Sequence, residues 1–149
     1  MCDDDRVKDE CPFCMIGSGE TDDDLVAFRT DRVFVSTALK QRSANPGQVL
    51  VCPVAHVTAL HAAEPPLLTE LLEVVTRVTR AAPAAFGAMG TTVMNNNNAP
   101  DQVISHLHVH VIPRFDGDDL VIPNPDRRPA PRNVRVQLTA RLRDRLAEP

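Results

Sequence analysis

Residues 105–111 read Ser-His-Leu-His-Val-His-Val, with a histidine at every second position. In a β-strand, successive side chains point to opposite faces, so an extended chain here separates the imidazoles from the apolar side chains. The histidines are His106, His108 and His110, and the apolar residues between and after them are Leu107, Val109 and Val111. We therefore predict a strand over residues 103–112 that packs its apolar face in a core and turns a row of imidazoles toward a cleft.

The sequence around this strand predicts an α+β fold. Short apolar runs bounded by turn residues indicate further strands at residues 25–29, 32–36, 48–54 and 91–94. Residues 67–80 place leucine and valine at helical spacing, and residues 134–146 do so over a shorter helix. Because the strands come in runs with few helices between them, we predict an antiparallel sheet of about five strands with one long helix and a short C-terminal helix. We expect residues 1–149 to form a single domain, with residues 1–10 as a disordered arm.

Composition and charge exclude several classes of function. The chain has 149 residues, of which 43% are hydrophobic and 24% charged, as is typical of one globular domain. A net charge of −4 gives no support for nonspecific nucleic-acid binding. No apolar run approaches the roughly 20 residues of a membrane span, and no signal-peptide pattern opens the chain. We expect a cytoplasmic protein with a small-molecule partner and without a nucleic-acid or membrane partner.

The alternating histidines allow three kinds of chemistry. An imidazole can bind a metal, carry a proton, or attack phosphorus or a carbonyl carbon as a nucleophile. A nucleophilic histidine needs one ring nitrogen free while the other donates its N–H to an acceptor. Neighbouring donors can then stabilise the charge that develops on a phosphate.

The chain has four cysteines and no secretory signal, which indicates thiols or a metal site rather than disulfides. Cys11 and Cys14 form a C-x-x-C motif and supply two of the four ligands that a tetrahedral structural zinc site requires. The motif also resembles that of glutaredoxins, but there it follows a strand and opens a helix, and the polar residues 1–10 do not resemble a strand. A third hypothesis is a catalytic zinc held by His106, His108 and another histidine, which leaves both cysteines unexplained.

Taken in order, the motifs resemble those of the histidine triad (HIT) superfamily of nucleotide hydrolases and transferases. The triad continues as His-x-His-x-His-Val-Ile-Pro-Arg over residues 106–114. It is preceded, in the order that the family shows, by Cys-Pro-Phe-Cys at residues 11–14, by Pro-Gly-Gln-Val-Leu-Val-Cys-Pro-x-x-His at residues 46–56, by the amphipathic helix, and by Asn95 with Gln102 seven residues later. The resemblance covers roughly residues 11–115 and is somewhat closer to the fragile-histidine-triad-like branch.

The resemblance implies a reaction in which His108 attacks the α-phosphorus of a nucleotide. Water resolves the nucleotidyl-histidine intermediate and releases a nucleoside monophosphate from a phosphate ester, anhydride or phosphoramidate. His110 would donate to the phosphate and orient the nucleophile, and Asn95 and Gln102 would face the phosphate with their amides. Enzymes of this kind include dinucleoside polyphosphate hydrolases and phosphoramidases. The alternative is a non-catalytic nucleotide-binding or zinc-binding module, against which the intact His108 and His110 argue.

The resemblance also implies a structural zinc ion. Zinc-containing members of the superfamily complete the C-x-x-C pair with the histidine of the Pro-x-x-His turn and with the first triad histidine. In this chain the four ligands would be Cys11, Cys14, His56 and His106. Many relatives are twofold dimers, so a homodimer is a further expectation.

Three positions depart from the family pattern. Asn97 stands where glycine is usual, and Val103 where a hydroxyl side chain often follows the glutamine. Lys40 stands at the spacing where the family usually offers an acid or asparagine to the ribose hydroxyls, and residues 36–45 contain no acid.

Overall fold

The computed structural model describes residues 10–122 and 128–147. This part of the chain forms a five-stranded antiparallel sheet of β1 (Val26–Arg29), β2 (Val33–Thr37), β4 (Val49–Pro53), β5 (Gly90–Asn95) and β6 (Val109–Arg114). The strand order is β1-β2-β4-β6-β5, which confirms the predicted fold class. A separate two-stranded ribbon pairs β3 (Lys40–Gln41) with β7 (Arg128–Pro129). Apart from Glu10, the predicted disordered arm lies outside the described residues.

In residues 12–122 and 128–147, three α-helices accompany the sheet: α1 (Pro12–Ser18), α2 (Pro65–Phe86) and α3 (Arg132–Ala147). Helix α2 is longer than the predicted range of 67–80. It begins at Pro65, where the fixed φ and missing N–H of proline suit a first helical turn. It ends at Gly87, which adopts the left-handed conformation (φ 70°) and donates its N–H to the carbonyl of Pro83. Helix α1 was not predicted from the sequence. Because Cys11 is its N-cap residue, the C-x-x-C motif does open a helix, contrary to the expectation from the sequence.

Helices α2 and α3 pack on one face of the sheet. The strand residues Val33, Val51 and Val111 form a core there with leucine and valine side chains of the two helices, namely Leu71, Val74, Val75, Val78, Leu138, Leu142 and Leu146. Leu107, Val109 and Val111 are all in this core and at most 4% exposed, as the alternation predicts. Burying such a side chain contributes about 1.5–3 kcal/mol, so this layer dominates the stability of the fold. Among the described residues, no helix is both long and apolar enough to cross a membrane.

The predicted strand over residues 103–112 is correct only in its second half. Strand β6 begins at Val109, so His106 and His108 lie in the irregular segment that leads into it and His110 lies inside it. The backbone turns here because the N–H of His106 donates to the carbonyl of Ile104 (2.8 Å), and the N–H of Leu107 donates to Val57 in a loop. The alternation of the side chains survives because the segment stays close to the sheet.

Helix α1 covers the histidine-bearing face of the sheet, so His106 and His108 are buried rather than open to a cleft as predicted, whereas His110 lines a pocket beside α1. A second apolar cluster there joins Phe13 of α1 to Phe34 and Leu50 of the sheet. A Cβ atom added to Gly17 would lie 3.1 Å from the Phe34 ring, so the absence of a side chain lets α1 lie against the sheet. The three triad histidines are buried beneath α1, with exposed fractions of 0%, 6% and 7% in chain order.

The turn after β6 is held by one carboxylate. Asp118 accepts hydrogen bonds from Nε and Nη2 of Arg114 (both 2.7 Å), from the N–H of Phe115 (2.9 Å) and from Nδ2 of Asn45 (2.6 Å). Arg114 contributes most, and these donors together hold the pKa of Asp118 well below its usual range. The carboxylate therefore stabilises the folded state only while it is ionised.

Asp118→Asn is expected to lower the urea midpoint of unfolding at neutral pH, and its difference from the parent should shrink in acid. The parental carboxylate contributes fully above its unfolded-state pKa of about 3.9 and loses the contribution as the pH falls toward its lower folded-state pKa. Urea titrations of both proteins from about pH 7 to about pH 2.5 measure this. A difference that stays constant over that range would show that the charge of Asp118 is not the cause.

Candidate active site and metal centre

The four residues assigned to zinc converge beside α1. The donor atoms of Cys11, Cys14, His56 and His106 all lie within 4.8 Å of one another. Nδ1 of His106 lies 3.4 Å from Sγ of Cys11 and 3.6 Å from Sγ of Cys14, and Nδ1 of His56 lies 3.3 Å from Sγ of Cys14. Tetrahedral zinc, with bonds of about 2.3 Å to sulfur and about 2.0–2.1 Å to nitrogen, separates such ligands by about 3.5 Å. The donor set and its size therefore fit zinc.

Three separate elements deliver these ligands. Cys11 is the N-cap residue of α1 and Cys14 lies in its first turn, so both thiols are at the same end of the helix. His56 follows β4, and His106 lies in the segment before β6, its neighbour in the sheet. A metal at this point would join α1 to the central strands on which the triad is built.

His106 is arranged as a metal-binding histidine. Its Nε2 lies 2.9 Å from the carbonyl of Pro53, which can only accept, so Nε2 carries the proton and the lone pair of Nδ1 faces the thiols. Burial lowers the pKa of His106 to about 4; the neighbouring His56 and His108 act in the same direction, and the hydrogen bond to Pro53 opposes them. The imidazole is thus neutral at physiological pH, as a metal ligand must be.

The geometry favours this four-ligand site over the two other hypotheses. Cys11 and Cys14 form no disulfide, and their sulfur atoms lie beside imidazole nitrogens, although the motif opens a helix as it does in redox proteins. For the catalytic zinc, His106 and His108 would have to share an ion. Instead, His106 faces the thiols, and His108 is not part of the cluster found among the described residues.

His108 has the arrangement that a nucleophilic imidazole requires. Its Nδ1 lies 2.7 Å from the carbonyl of His106, so Nδ1 carries the proton and donates it, which leaves the lone pair on Nε2. Burial lowers the pKa of His108, against the opposing effect of this hydrogen bond, so the neutral form is favoured. The rings of Phe13 and His110 hold the imidazole edge-on, with centroids 5.2 Å and 4.9 Å from its own.

Gln48 and Arg42 support His110, and the sequence reasoning missed both. Nε2 of Gln48 lies 2.9 Å from Nδ1 of His110, and Nε of Arg42 donates to Oε1 of Gln48 at 3.2 Å. Because arginine only donates, it fixes the amide oxygen toward itself and directs the amide NH₂ to His110. Nδ1 of His110 therefore accepts, and its proton is on Nε2. The register of the two strands was the signal that could have identified Gln48. Leu50 is paired with His110, and Gln48, two residues before Leu50, points to the same face of the sheet.

The structure places the amide of Asn95 against the backbone of His108 and the amide of Gln102 against the backbone of two other loop residues. Nδ2 of Asn95 donates to the carbonyl of His108 at 2.9 Å. Gln102 donates from Nε2 to the carbonyl of Thr58 (2.8 Å) and accepts from the N–H of Asn98 (2.6 Å). Asn95 therefore holds the backbone at His108 and Gln102 joins the loops of Thr58 and Asn98, and the contact of either amide with a phosphate stays a prediction.

The asparagine run also positions this edge of the site. Asn97, the position where the family usually has glycine, accepts from the N–H of Leu60 at 2.7 Å and donates to Asn95. The left-handed residue is its neighbour Asn98, with φ of 55°. Asparagine tolerates that conformation better than most residues, so the chain can turn here without glycine.

A pocket of about 470 Å³ lies beside α1 and has His110 in its wall. Phe13 and Ile16 of α1, together with Leu25, Leu50 and Ile104, give it apolar walls that suit a flat aromatic group. A larger groove of about 950 Å³ runs along α2 and α3, but none of the predicted site residues lines it.

Comparison with known proteins gives one family. The sequence model of the HIT domain matches residues 19–117. An uncharacterized HIT-like protein of Mycobacterium tuberculosis is 30% identical over 136 residues, which span 86% of this chain and 92% of that protein. An adenosine 5′-monophosphoramidase of Schizosaccharomyces pombe is 28% identical over 106 residues, 70% of this chain and 74% of that one.

Solved structures agree with the sequence matches. A HIT-like protein from Bartonella henselae has a TM-score of 0.80 at 26% identity, covering 92% of this chain and 96% of that chain. A zinc-bound histidine triad family protein from Mycobacterium smegmatis has a TM-score of 0.78 at 27% identity, covering 95% of this chain and 96% of that chain. The family model matches a region that contains the triad, and the solved structures match most of the fold. The chain therefore belongs to the HIT family.

Proposed function

We propose that this protein hydrolyses or transfers a nucleotide at its α-phosphorus, with His108 as the nucleophile. The observation that carries the proposal is the hydrogen bond from Nδ1 of His108 to the carbonyl of His106, because it leaves an unprotonated Nε2 on a buried, neutral imidazole. The relationship to a monophosphoramidase supports the same class of reaction. A purely binding module has no need for such a tautomer.

The reaction takes place in two displacements. Nε2 of His108 attacks the α-phosphorus and an N–P bond forms, while the leaving group departs with the electron pair of its bond to phosphorus and takes a proton from solvent. Water then attacks the same phosphorus and gives up a proton to solvent, the N–P bond breaks with its electron pair returning to Nε2, and His108 is regenerated as the neutral imidazole. The products are a nucleoside monophosphate and the protonated leaving group. Two such steps through a covalent intermediate are ordinary nucleophilic catalysis.

His110 stabilises the charge on the phosphoryl oxygens in this proposal. Gln48 keeps the proton of His110 on Nε2, so that nitrogen can donate to a non-bridging oxygen. The contact between the rings of His108 and His110 places the donor next to the nucleophile. Arg42 acts through Gln48 as a positioning residue.

We also propose that Cys11, Cys14, His56 and His106 bind zinc. Their donor atoms fit a tetrahedral ion, and the similar Mycobacterium smegmatis protein is zinc-bound. With four protein ligands the ion has no open position, so it would stabilise the structure and would not activate water.

A turnover screen tests the proposed function. Adenosine 5′-phosphoramidate, a dinucleoside tetraphosphate, adenylyl sulfate and a simple adenylate ester represent the classes of leaving group. Release of adenosine 5′-monophosphate from at least one of them is expected and is followed by chromatography. Binding of nucleotides without release of the monophosphate from any of the four would support the non-catalytic alternative.

Gln48→Glu is expected to lower kcat by about 10-fold or more while preserving the fold. A carboxylate at this position keeps the contact with Arg42 but accepts from Nδ1 of His110, so the proton leaves Nε2 and the phosphate loses its donor. Nitrogen-15 chemical shifts of His110 report the change of tautomer directly. Gln48→Leu, which removes the donor without imposing the other tautomer, is the comparison. Parental kcat in Gln48→Glu would contradict the role given to Gln48.

A further inference from the structure

The pocket beside α1 leads from His110 across the sheet. Ser36, Leu50 and His110 are register partners on β2, β4 and β6, and all three line the pocket. Since neighbouring strands are about 4.8 Å apart, this row extends about 10 Å away from His110. His108, Asn95 and Gln102 are not among the lining residues. A nucleotide with its phosphate at His110 can therefore place its nucleoside in the pocket and its leaving group outside it.

The far end of the pocket carries excess positive charge. Lys40, Arg132 and Arg135 line it, and Asp22, the one acid that the described part of the chain contributes to its wall, is already paired with Arg132 at 2.7 Å. Arg132 also binds Asp24, at 2.6 Å. Among the described residues, neither Lys40 nor Arg135 pairs with a carboxylate; Arg135 only donates from Nε to the carbonyl of Ala130. Two cations that no carboxylate of residues 10–122 or 128–147 pairs with therefore line the same pocket.

These two cations lie across the pocket from His110. Lys40 follows β2 by three residues and belongs to β3. Arg135 is one helical turn before Thr139, whose hydroxyl bonds to that of Thr37 on β2. The side of the pocket at β2 is thus positive, the side at β6 carries His110, and the apolar walls lie between them.

We propose that this pocket selects a nucleotide with a second phosphate on its ribose, as in nucleoside 3′,5′- or 2′,5′-bisphosphates and their derivatives. The inference rests on the proposed function, which places the 5′-phosphate at His110. The sugar lies between that phosphate and a base held by the apolar walls, and a phosphate on the sugar can reach toward Lys40 and Arg135. A dianion there neutralises both cations through charge-assisted hydrogen bonds, which ribose hydroxyls cannot do.

Calorimetric titration of the intact protein with four adenosine nucleotides tests the proposal. Adenosine 3′,5′-bisphosphate or 2′,5′-bisphosphate is expected to bind about 10-fold tighter than the 5′-monophosphate. Adenosine 5′-diphosphate carries as many phosphates, but in one chain, and should show no comparable gain. Lys40→Glu, at an exposed side chain, and Lys40→Ala with Arg135→Ala should each remove the gain of the bisphosphates over the monophosphate. Arg80→Ala, an exposed arginine on α2, is the matched control.

Each contrary result has a distinct meaning. Equal affinities for the monophosphate and both bisphosphates would overturn this inference and leave the proposed function intact. A gain that the diphosphate shares would assign the cations to the leaving-group chain and would also overturn it. A gain that persists in both variants would exclude Lys40 and Arg135 as its source. Failure of all four nucleotides to bind would overturn the proposed function together with the inference.

Discussion

His108→Ala is expected to reduce nucleotide turnover by about 10³-fold or more while nucleotide binding stays close to the parental affinity. The nucleophile acts in the chemical step, whereas the pocket that would hold the nucleoside is lined by other residues. Steady-state kinetics and calorimetric titration with adenosine 5′-monophosphate measure the two effects separately.

The matched control is His61→Ala. His61 is exposed in the turn Leu60–Ala62 and outside the metal cluster, so its loss removes an imidazole without touching the site. Because His108 is buried, the thermal midpoint of the His108→Ala protein must be measured to show that it is folded. A folded His108→Ala protein that turns over nucleotides at the parental rate would contradict the mechanism.

Cys11→Ser is expected to lose the zinc and to lower the free energy of unfolding by about 4 kcal/mol, the value for loss of a ligand present at a thousand times its dissociation constant. The sulfur of Cys11 faces His106, and its loss breaks the link between α1 and the segment before β6. Metal analysis and denaturant unfolding measure the two quantities. Removal of the metal from the parent with a chelator should have the same effect on stability.

Two comparisons give this experiment its specificity. Cys52→Ala removes a buried thiol that is outside the donor cluster, so it should keep the zinc. His108→Ala should also keep it, because the catalytic-zinc hypothesis requires His108 as a ligand and the structural site does not. Protein that is freshly purified under reducing conditions and yet holds no metal and contains a Cys11–Cys14 disulfide would contradict the zinc assignment.

The core of the fold could be predicted because it depends on local periodicity. The alternation at Leu107, Val109 and Val111 gave the correct face for each side chain, and the helical spacing of α2 gave the correct element. Helix α1 could not be predicted this way. It has seven residues, far fewer than an isolated helix needs in water, and it is held by the packing of Phe13 and Gly17 against the sheet.

The strand boundary failed for a similar reason. Nothing in the composition of residues 103–108 prevents an extended strand, but the N–H of Leu107 finds its acceptor in Val57, which is distant in sequence. A partner in a loop cannot be inferred from the local pattern. The side-chain alternation is less sensitive to such contacts and was therefore correct where the boundary was wrong.

In the candidate site, too, the residues that belong to sequence motifs could be predicted, and the residues that act through contacts between distant segments could not. The four predicted zinc ligands converge because they belong to motifs whose order the sequence displays. Gln48 and Arg42 contribute through a chain of hydrogen bonds to His110, which depends on the register of β4 against β6 and on a buried arginine from a neighbouring turn. Such pairings between distant segments become visible only in the folded chain.

The central claim is the covalent intermediate on His108, and the stereochemistry at phosphorus tests it most directly. A substrate whose α-phosphorus is chiral through sulfur substitution is hydrolysed in oxygen-18 water, and the configuration of the resulting monophosphorothioate is determined. Each in-line displacement inverts phosphorus, so attack by His108 followed by attack by water predicts overall retention. Overall inversion would mean that water attacks the nucleotide directly, and it would contradict the role assigned to His108.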